Sequence, residues 1–164
     1  MGRLLHQFTP GQRFRTPGRT ITEADIAAFA GLTGDYNPVH TDAVFAAATG
    51  FGGPIAHGPM LVGMAFGLAA RLDLIDGTVI ALLGIEWGFK APVRAGDTIH
   101  AVIGVVEARN GRQPDRGVLA LSFDMVNQAG TVAQTGLARL LMRRTAQPEA
   151  AWGEVPSEAD APSK

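Results

Sequence analysis

The sequence predicts an α+β fold in which an antiparallel sheet wraps around one long, apolar helix. Helical patterns fill the first half of the chain, and strand patterns with a period of two follow in the second half. This segregation favours an antiparallel sheet over alternating βαβ units. The segment from Met60 to Ala70 contains no charged or hydroxyl residue. A helix that is apolar on all sides has to be enclosed on most of them, and a curved sheet does this.

One domain and a tail account for the 164 residues. A chain of this length buries about 70% of the surface that its unfolded form exposes, so we expect a single core. We assign residues 1–146 to the domain. Residues 147–164 are rich in Pro, Ala, Glu and Ser and predict a disordered tail.

The composition argues against several kinds of partner. The formal net charge is −1 and no stretch gathers Lys and Arg, so nucleic acid is not an expected partner. The chain has no cysteine, which excludes disulfides and suits a reducing, cytoplasmic location. The most apolar segment, Pro59 to Leu72, is shorter than the roughly 20 residues that cross a bilayer, so no membrane association is expected. The first residues lack the apolar run of a signal peptide.

The first 21 residues predict an irregular segment with one short strand, and a helix follows. Thr22 is the predicted N-cap of this helix and Asp25 lies in its first turn. We expect the helix to end within residues 31–34, where two glycines occur. Its apolar face is predicted from residues that recur at spacings of three: Ile26, Phe29 and Leu32.

A second, shorter helix is predicted to begin at Thr41 as N-cap and to stop at Gly50. The side chains expected to point inward are Val44, Phe45 and Ala48. A glycine-rich loop, GFGGPIAHGP, leads into the apolar helix. Gly63 and Gly67 lie one turn apart on that helix and could let a strand or a ligand approach closely.

Four strands are predicted after the turn at Asp76 and Gly77. In the first, one face is expected to consist of Ile85, Trp87 and Phe89. Alternating apolar residues predict the next two strands within residues 99–105 and 119–125, and the last covers residues 131–143.

The stretch GDYNPVH, residues 34–40, gathers groups that could transfer protons. Asp35 and His40 are five residues apart and would point about 140° away from each other on an α-helix. Pro38 favours extended geometry at Asn37, so we expect a non-helical turn that brings both side chains to one point. The alternative is that Asp35 and Asn37 are ordinary turn formers and His40 merely precedes a helix.

The stretch AHGP, residues 56–59, supplies a possible electrophilic partner at the start of the apolar helix. Pro59 has no N–H, so the expected donor to a developing negative charge is the N–H of Gly58. The alternative is a plain helix start with a glycine. His57 could be catalytic, although a histidine before a buried helix more often satisfies backbone groups.

Together the two stretches provide a carboxylate, an imidazole and an oxyanion donor, which suit proton transfer beside a thioester or similar carbonyl. A metal site from Asp35, His40, Asp42 and His57 is conceivable, but no helical His-x-x-x-His spacing supports it, and we predict none. GFGG lacks the spacing of a dinucleotide-binding loop, so no cofactor is predicted.

Two long motifs resemble the MaoC-like dehydratases, the group that contains (R)-specific enoyl-CoA hydratases. They are ITEADIAAFAGLTGDYNPVHTDAVFAAATGFGGPIAHGPM and, after the apolar helix, GIEWGFKAPVRAGDTI. The resemblance covers roughly residues 10 to 143. It implies a hot-dog fold and a homodimer that binds acyl-CoA near the subunit interface. Some relatives carry a serine in the central helix, whereas residues 59–70 here contain no Ser or Thr.

The resemblance also implies roles for individual residues. Asp35 and His40 would be the catalytic pair that holds a water molecule, Asn37 would support them, and Gly58 would donate to the thioester oxygen. The reaction would be reversible hydration of a trans-2-enoyl-CoA to the (R)-3-hydroxyacyl-CoA. Two rivals stay open: a hot-dog thioesterase, and an acyl-CoA-binding protein without turnover. Neither the acyl chain length nor a role for Tyr36 is assigned.

Overall fold

The computed structural model describes residues 2–145, so most of the predicted domain lies within it and the predicted tail lies outside. Helices precede the four long strands, as predicted, and there are four of them among the described residues where the sequence predicts three. They are α1 (Glu23–Thr33), α2 (Pro38–Thr41), α3 (Ala43–Ala47) and α4 (Gly58–Ala70). Among the described residues, no helix is both long and apolar enough to cross a membrane.

The strands form one antiparallel sheet. Two short strands, β1 (Arg13–Arg15) and β2 (Arg19–Thr20), replace the single one expected near the N-terminus, after a 3-10 turn at Leu5–Gln7. The long strands are β3 (Val79–Phe89), β4 (Thr98–Asn110), β5 (Arg116–Val126) and β6 (Val132–Arg143). The order is β1-β4-β5-β6-β3, with β2 paired to β4. The prediction of an α+β fold with an antiparallel sheet is therefore confirmed.

The helix α4 packs its buried face against this sheet. Met60, Leu61 and Ala65 belong to the same core cluster as the sheet residues, and the rings of Phe66 and Phe123 lie 5.6 Å apart. The opposite face carries the two exposed glycines of the helix. A Cβ atom at Gly63 or Gly67 would meet no atom within 4 Å, so no strand within residues 2–145 approaches either glycine closely, and the alternative that a ligand does so stays a prediction.

The start of α1 follows the prediction, and so does part of its apolar face: Ile26 is buried and Phe29 packs against the core. The Thr22 hydroxyl accepts from the Asp25 N–H at 3.1 Å, and Asp25 accepts from the Thr22 N–H at 2.9 Å, which makes a capping box. Gly34 ends the helix with φ 76°. Leu32, expected inside, is 84% exposed, and the fully buried residue of this helix is Ala30 instead.

The predicted second helix corresponds to α3, and its inward face is wrong; α2 precedes it, within the stretch GDYNPVH. Asp42, not Thr41, caps α3, because its carboxylate accepts from the N–H groups of Val44 and Phe45 at 2.9 Å. A start one residue later turns the helix by about 100°. Ala46 is consequently buried, whereas Val44 is 83% exposed and Phe45 and Ala48 are also exposed.

The strand β3 lies at an edge of the sheet and pairs only with β6 among the described residues. Trp87 packs inward, with its ring 5.7 Å from that of Phe123. The expected partners of Trp87 on this face, Ile85 and Phe89, are both exposed, as are Leu82 and Leu83. A long, apolar edge strand of this kind is a ready template for pairing with another chain.

Candidate active site

The loop between α1 and α2 holds Asp35 through local hydrogen bonds. The Asp35 N–H donates to Oγ1 of Thr33 at 3.3 Å, and its Oδ1 accepts from the Asn37 N–H at 3.2 Å. Oδ1 of Asn37 then caps α2 by accepting from Val39 at 3.3 Å. Because Pro38 fits the first helical position, the end of the motif forms one helical turn and is not wholly non-helical as predicted. Asp35 lies outside this turn.

The histidine on α2 is held in one tautomer. Nδ1 of His40 lies 2.8 Å from the carbonyl oxygen of Ile55, which can only accept a hydrogen bond. Nδ1 must therefore carry the proton in this contact. In the neutral ring, Nε2 then keeps its lone pair and is free to act as a base or to hold a water molecule.

A second histidine joins this loop to the start of α4. His57 is fully buried, and its Nε2–H donates to the backbone carbonyl of Asp35 at 2.9 Å. Its ring stacks on His40 with centroids 3.8 Å apart and lies 5.1 Å from Phe29. The contact satisfies a backbone group, as the alternative interpretation of His57 expects. Its Nδ1 atom has no hydrogen-bond partner within residues 2–145.

These contacts bring Asp35, His40 and His57 together. One carboxylate oxygen and one nitrogen from each ring all lie within 4.8 Å of one another. Asp42, the fourth residue of the conceivable metal site, does not belong to this cluster, because its carboxylate caps α3. Each ring in the cluster already uses one nitrogen on a backbone carbonyl, and the expectation that no metal binds stays a prediction.

The start of α4 leaves one backbone donor open. No side chain caps this helix, Pro59 has no N–H, and the Met60 N–H donates to the carbonyl of His57 at 3.1 Å. The Gly58 N–H has no acceptor within the described part of the chain. A Cβ atom at Gly58 would lie 2.7 Å from the ring of Phe89, so this position has room only for glycine unless the ring moves.

A cavity of about 490 Å³ is lined by both His40 and Gly58. Its lining is mostly apolar and comprises His40, Phe51, Ile55, Ala56, Gly58, Pro59, Phe89, Lys90, Ala91, Val93 and Gln134. His40 also lines a second cavity of about 500 Å³, beside Arg94. The Arg94 guanidinium donates to the carbonyls of Phe51 and Gly53 and so holds the glycine-rich loop.

Sequence analysis did not identify Gln134 as a site residue. This side chain is 3% exposed and contacts both the first turn of α4 and Trp87. The strand pattern contained a usable signal, since every second residue from Gln134 to Met142 lies on one face and the others there are apolar or glycine. A glutamine side chain that points into the core requires hydrogen-bond partners there.

Tyr36 is largely exposed, and its hydroxyl would lie 3.7 Å from a Cβ atom at Gly31 of α1. Its backbone carbonyl accepts from the Thr41 hydroxyl at 3.2 Å. The phenol therefore covers the end of α1, and it is not among the residues that line the cavity between His40 and Gly58.

Comparisons with known proteins identify the family of this chain. The model of the MaoC like domain family matches residues 6–126. An (R)-specific enoyl-CoA hydratase from Aeromonas caviae is 37% identical over 128 residues, which cover 78% of this chain and 90% of that protein. Three further curated relatives are matched over only 28%, 55% and 59% of their own length.

Solved structures share the fold. The MaoC-like dehydratase from Rhodospirillum rubrum superposes with a TM-score of 0.80 at 30% identity, over 89% of this chain and all of that one. A Mycobacterium tuberculosis protein described as having a double hotdog fold gives a TM-score of 0.75 at 26% identity, over 99% of this chain and 52% of that one. The architecture is the hot-dog fold, and the chain belongs to the MaoC-like family.

Proposed function

We propose that this protein is a hydro-lyase that reversibly hydrates a trans-2-enoyl-CoA to the (R)-3-hydroxyacyl-CoA. One observation carries the proposal: His40 and Gly58 line the same apolar cavity, and the carboxylate of Asp35 lies within 4.8 Å of a His40 ring nitrogen. The similarity to the hydratase from Aeromonas caviae supports the same reaction. An apolar cavity with few polar groups suits an acyl chain whose thioester end reaches those groups.

Asp35 and His40 hold the attacking water. Nε2 of His40 has a free lone pair because Nδ1 is committed to Ile55, and the Asp35 carboxylate lies within 4.8 Å of a ring nitrogen. The hydroxyl of the water forms a bond to C3 of the substrate, and its proton passes to the pair. The pair returns one proton to C2 on the same face, so that one molecule of water is added in a syn manner.

Gly58 stabilises the charge that develops during this addition. As the nucleophile attacks C3, electron density moves through C2 to the thioester oxygen, and an enolate forms. A free N–H at the start of a 13-residue helix is well suited to stabilise this negative charge by donating a hydrogen bond, because the helix dipole favours a negative group there. The reverse reaction uses the same contact when a proton leaves C2.

Asn37 and His57 support this arrangement through the backbone. Asn37 orients the Asp35 carboxylate through its N–H and starts the helical turn that carries His40. His57 holds the Asp35 carbonyl and packs against the His40 ring. All the groups that the reaction needs are side chains or amides of this chain, so the proposal includes no cofactor beyond the CoA thioester itself.

The proposed assembly is a homodimer in which β3 takes part. Four large apolar residues on this edge strand are exposed in the single chain: Leu82, Leu83, Ile85 and Phe89. Pairing with a second copy would satisfy the open backbone groups and cover these side chains. The lack of cysteine supports a reducing compartment, and we propose the cytoplasm.

Hydration of crotonyl-CoA by variants of the two central residues tests the proposal. Asp35→Asn and His40→Ala are expected to lower kcat by about 100-fold to 10,000-fold, since each removes a proton-transfer group. The measurement is the loss of enoyl absorbance, with circular dichroism to check folding and chiral analysis to identify the (R)-product.

Matched controls exist in the same chain. Asp42→Asn changes a carboxylate that caps α3, and asparagine caps equally well, so activity should persist. His6→Ala removes an exposed histidine that also lies near a backbone carbonyl. Wild-type rates in folded Asp35→Asn or His40→Ala protein would contradict the proposed roles. Release of free CoA without hydration would indicate a thioesterase, and tight binding without turnover would indicate a non-catalytic acyl-CoA-binding protein.

A further inference from the structure

A buried amide connects the edge of the sheet to the first turn of α4. Nε2 of Gln134 on β6 donates to the carbonyl of Gly58 at 3.2 Å, and Oε1 of Gln134 accepts from Nε1 of Trp87 at 2.8 Å. The indole nitrogen can only donate and the carbonyl can only accept, so the orientation of the amide is determined by its partners. Both ends of the Gln134 side chain are therefore engaged.

The neighbouring strands make room for this chain of hydrogen bonds. Gly136 on β6 is paired with Trp87 on β3, and a Cβ atom at Gly136 would lie 2.0 Å from the indole. Only glycine opposite Trp87 lets the ring lie flat and reach Gln134. Gly136 on β6 therefore determines where Trp87 lies, and Trp87 fixes the Gln134 amide that contacts Gly58.

Gly58 requires an external support of this kind. It has no side chain, so its backbone torsions are freer than those of any other residue type, and no side-chain cap fixes the start of α4. The Gln134 contact holds its carbonyl, while the ring of Phe89 covers the place of its missing Cβ. Two constraints on one glycine set the direction of its N–H.

We propose that Gln134 is a positioning residue that aims the Gly58 N–H at the thioester oxygen, and that Trp87 fixes its amide for this task. The inference rests on the function proposed above and deepens it. Gln134 lines the same cavity as His40 and Gly58, so the support lies next to the bound acyl group. It acts through the backbone of Gly58 and takes no part in proton transfer.

Gln134→Met tests the proposal, because methionine has a similar length and no hydrogen-bonding amide. The expected result is a fall in kcat of about 100-fold with KM changed less than about 3-fold, since a misaimed donor affects the transition state more than binding. Gln128→Met is the matched control. Gln128 also makes two amide hydrogen bonds, with Asp97 and the Thr98 N–H, and neither partner belongs to the site.

A second readout does not depend on turnover. Butyryl-CoA labelled with carbon-13 at the thioester carbonyl is saturated and cannot be hydrated. In the wild type its carbonyl resonance should move downfield on binding, because a hydrogen bond polarises the carbonyl. In Gln134→Met most of that shift should be lost at similar affinity, whereas Gln128→Met should retain it.

Trp87→Phe keeps Gln134 and replaces the indole that donates to its Oε1 by a smaller ring, and it guards against a Gln134 variant that does not fold. We expect it to lower kcat by about 10-fold and to reduce the carbonyl shift in part. Gln134→Met should lower kcat by a smaller factor in the Trp87→Phe protein than in the wild type, since both residues act through one amide.

The outcomes separate this inference from the function itself. Hydration by the wild type, with normal kcat and carbonyl shift in both Gln134→Met and Trp87→Phe, overturns the positioning role and leaves the function standing. A carbonyl shift that depends on Gln134 in a wild type that hydrates no enoyl-CoA overturns the function and leaves the positioning role. Absence of both hydration and any carbonyl shift in the wild type overturns both, and hydration without any shift overturns the positioning role alone.

Discussion

Two helices of this protein begin in different ways, and the difference distinguishes the candidate site from the rest of the fold. At α1 a capping box occupies the first turn, because Thr22 and Asp25 accept from each other's N–H groups. At α4 no side chain of the described residues caps the helix, and the N–H of Gly58, a residue that lines a cavity, has no acceptor among them. Closing a helix start stabilises the fold. Leaving one open has no value for stability, so we interpret it as a binding function.

Among substitutions that test this comparison of the two helix starts, the largest effect is expected from filling the space beside Gly58 at the start of α4. Gly58→Ala keeps the N–H but places a Cβ atom 2.7 Å from the Phe89 ring, which then has to move. We expect kcat/KM to fall by about 100-fold, because small displacements at a reacting centre are costly. Steady-state hydration kinetics measure this, and unchanged kinetics would mean that the Phe89 ring and the Gly58 torsions do not matter.

The next effect concerns the histidine that connects the two motifs. His57→Phe keeps an aromatic ring against His40 but removes the donor to the Asp35 carbonyl. We expect the free energy of unfolding to fall by about 1–3 kcal/mol, since a hydrogen bond inside the protein is lost. Urea unfolding gives the value. His6→Phe, at an exposed position, is the control and should change stability by less than about 0.5 kcal/mol.

The capping box at the start of α1 should contribute to the free energy of unfolding and not to the rate of turnover. The Thr22 N–H, followed by the Thr22 hydroxyl and Arg19, lowers the pKa of Asp25. A lowered pKa in the folded state means that the stabilisation is complete above the unfolded pKa of about 3.9 and is lost as pH falls through the folded pKa.

Asp25→Ala should therefore lower the free energy of unfolding by about 1 kcal/mol at neutral pH, with a smaller difference in acid. Denaturant unfolding at several pH values measures both. Glu23→Ala, in the same turn but outside the capping box, is the control. A difference that stays constant down to pH values below the folded pKa would contradict the assignment.

The smallest effect is expected at the other glycines of α4. The Cβ atom that Gly67→Ala adds would meet no atom within 4 Å. Because alanine also has a higher helix propensity than glycine, the substitution should stabilise the protein by about 0.5–1 kcal/mol. The melting temperature should rise slightly, and hydration should be unaffected. Gly67→Leu, which a close approach would have made costly, is expected to be neutral for stability in the single chain. A large loss in either variant would indicate that another chain or a ligand covers this face.

Local signals carried most of the prediction of the fold. The capping box at Thr22, the proline at the start of α4 and the alternation along β4 to β6 depend on neighbouring residues, and each was visible in the sequence. Periodicity identifies an apolar face but not what covers it. Leu32 was therefore expected on the apolar face of its helix and is exposed, and of the strand face that Ile85 was predicted to share with Trp87, Ile85 is exposed.

The candidate site could be predicted only in part, because local sequence patterns do not show which distant residues come into contact. Asp35, His40 and Gly58 were identifiable because they lie in two short motifs with unusual composition. The hydrogen bond from His57 to Asp35 spans 22 residues, and that from Gln134 to Gly58 spans 76. Contacts at such separations are set by the register of the sheet and the docking of α4, which no local pattern records.

Phe89 links this site to the surface of the molecule. Its ring covers Gly58, yet it lies at the end of an edge strand and is largely exposed. A second chain that paired with β3 would order the same residue that closes the cavity. Assembly and turnover would then share one strand, and specific activity would depend on protein concentration well before the chain unfolds.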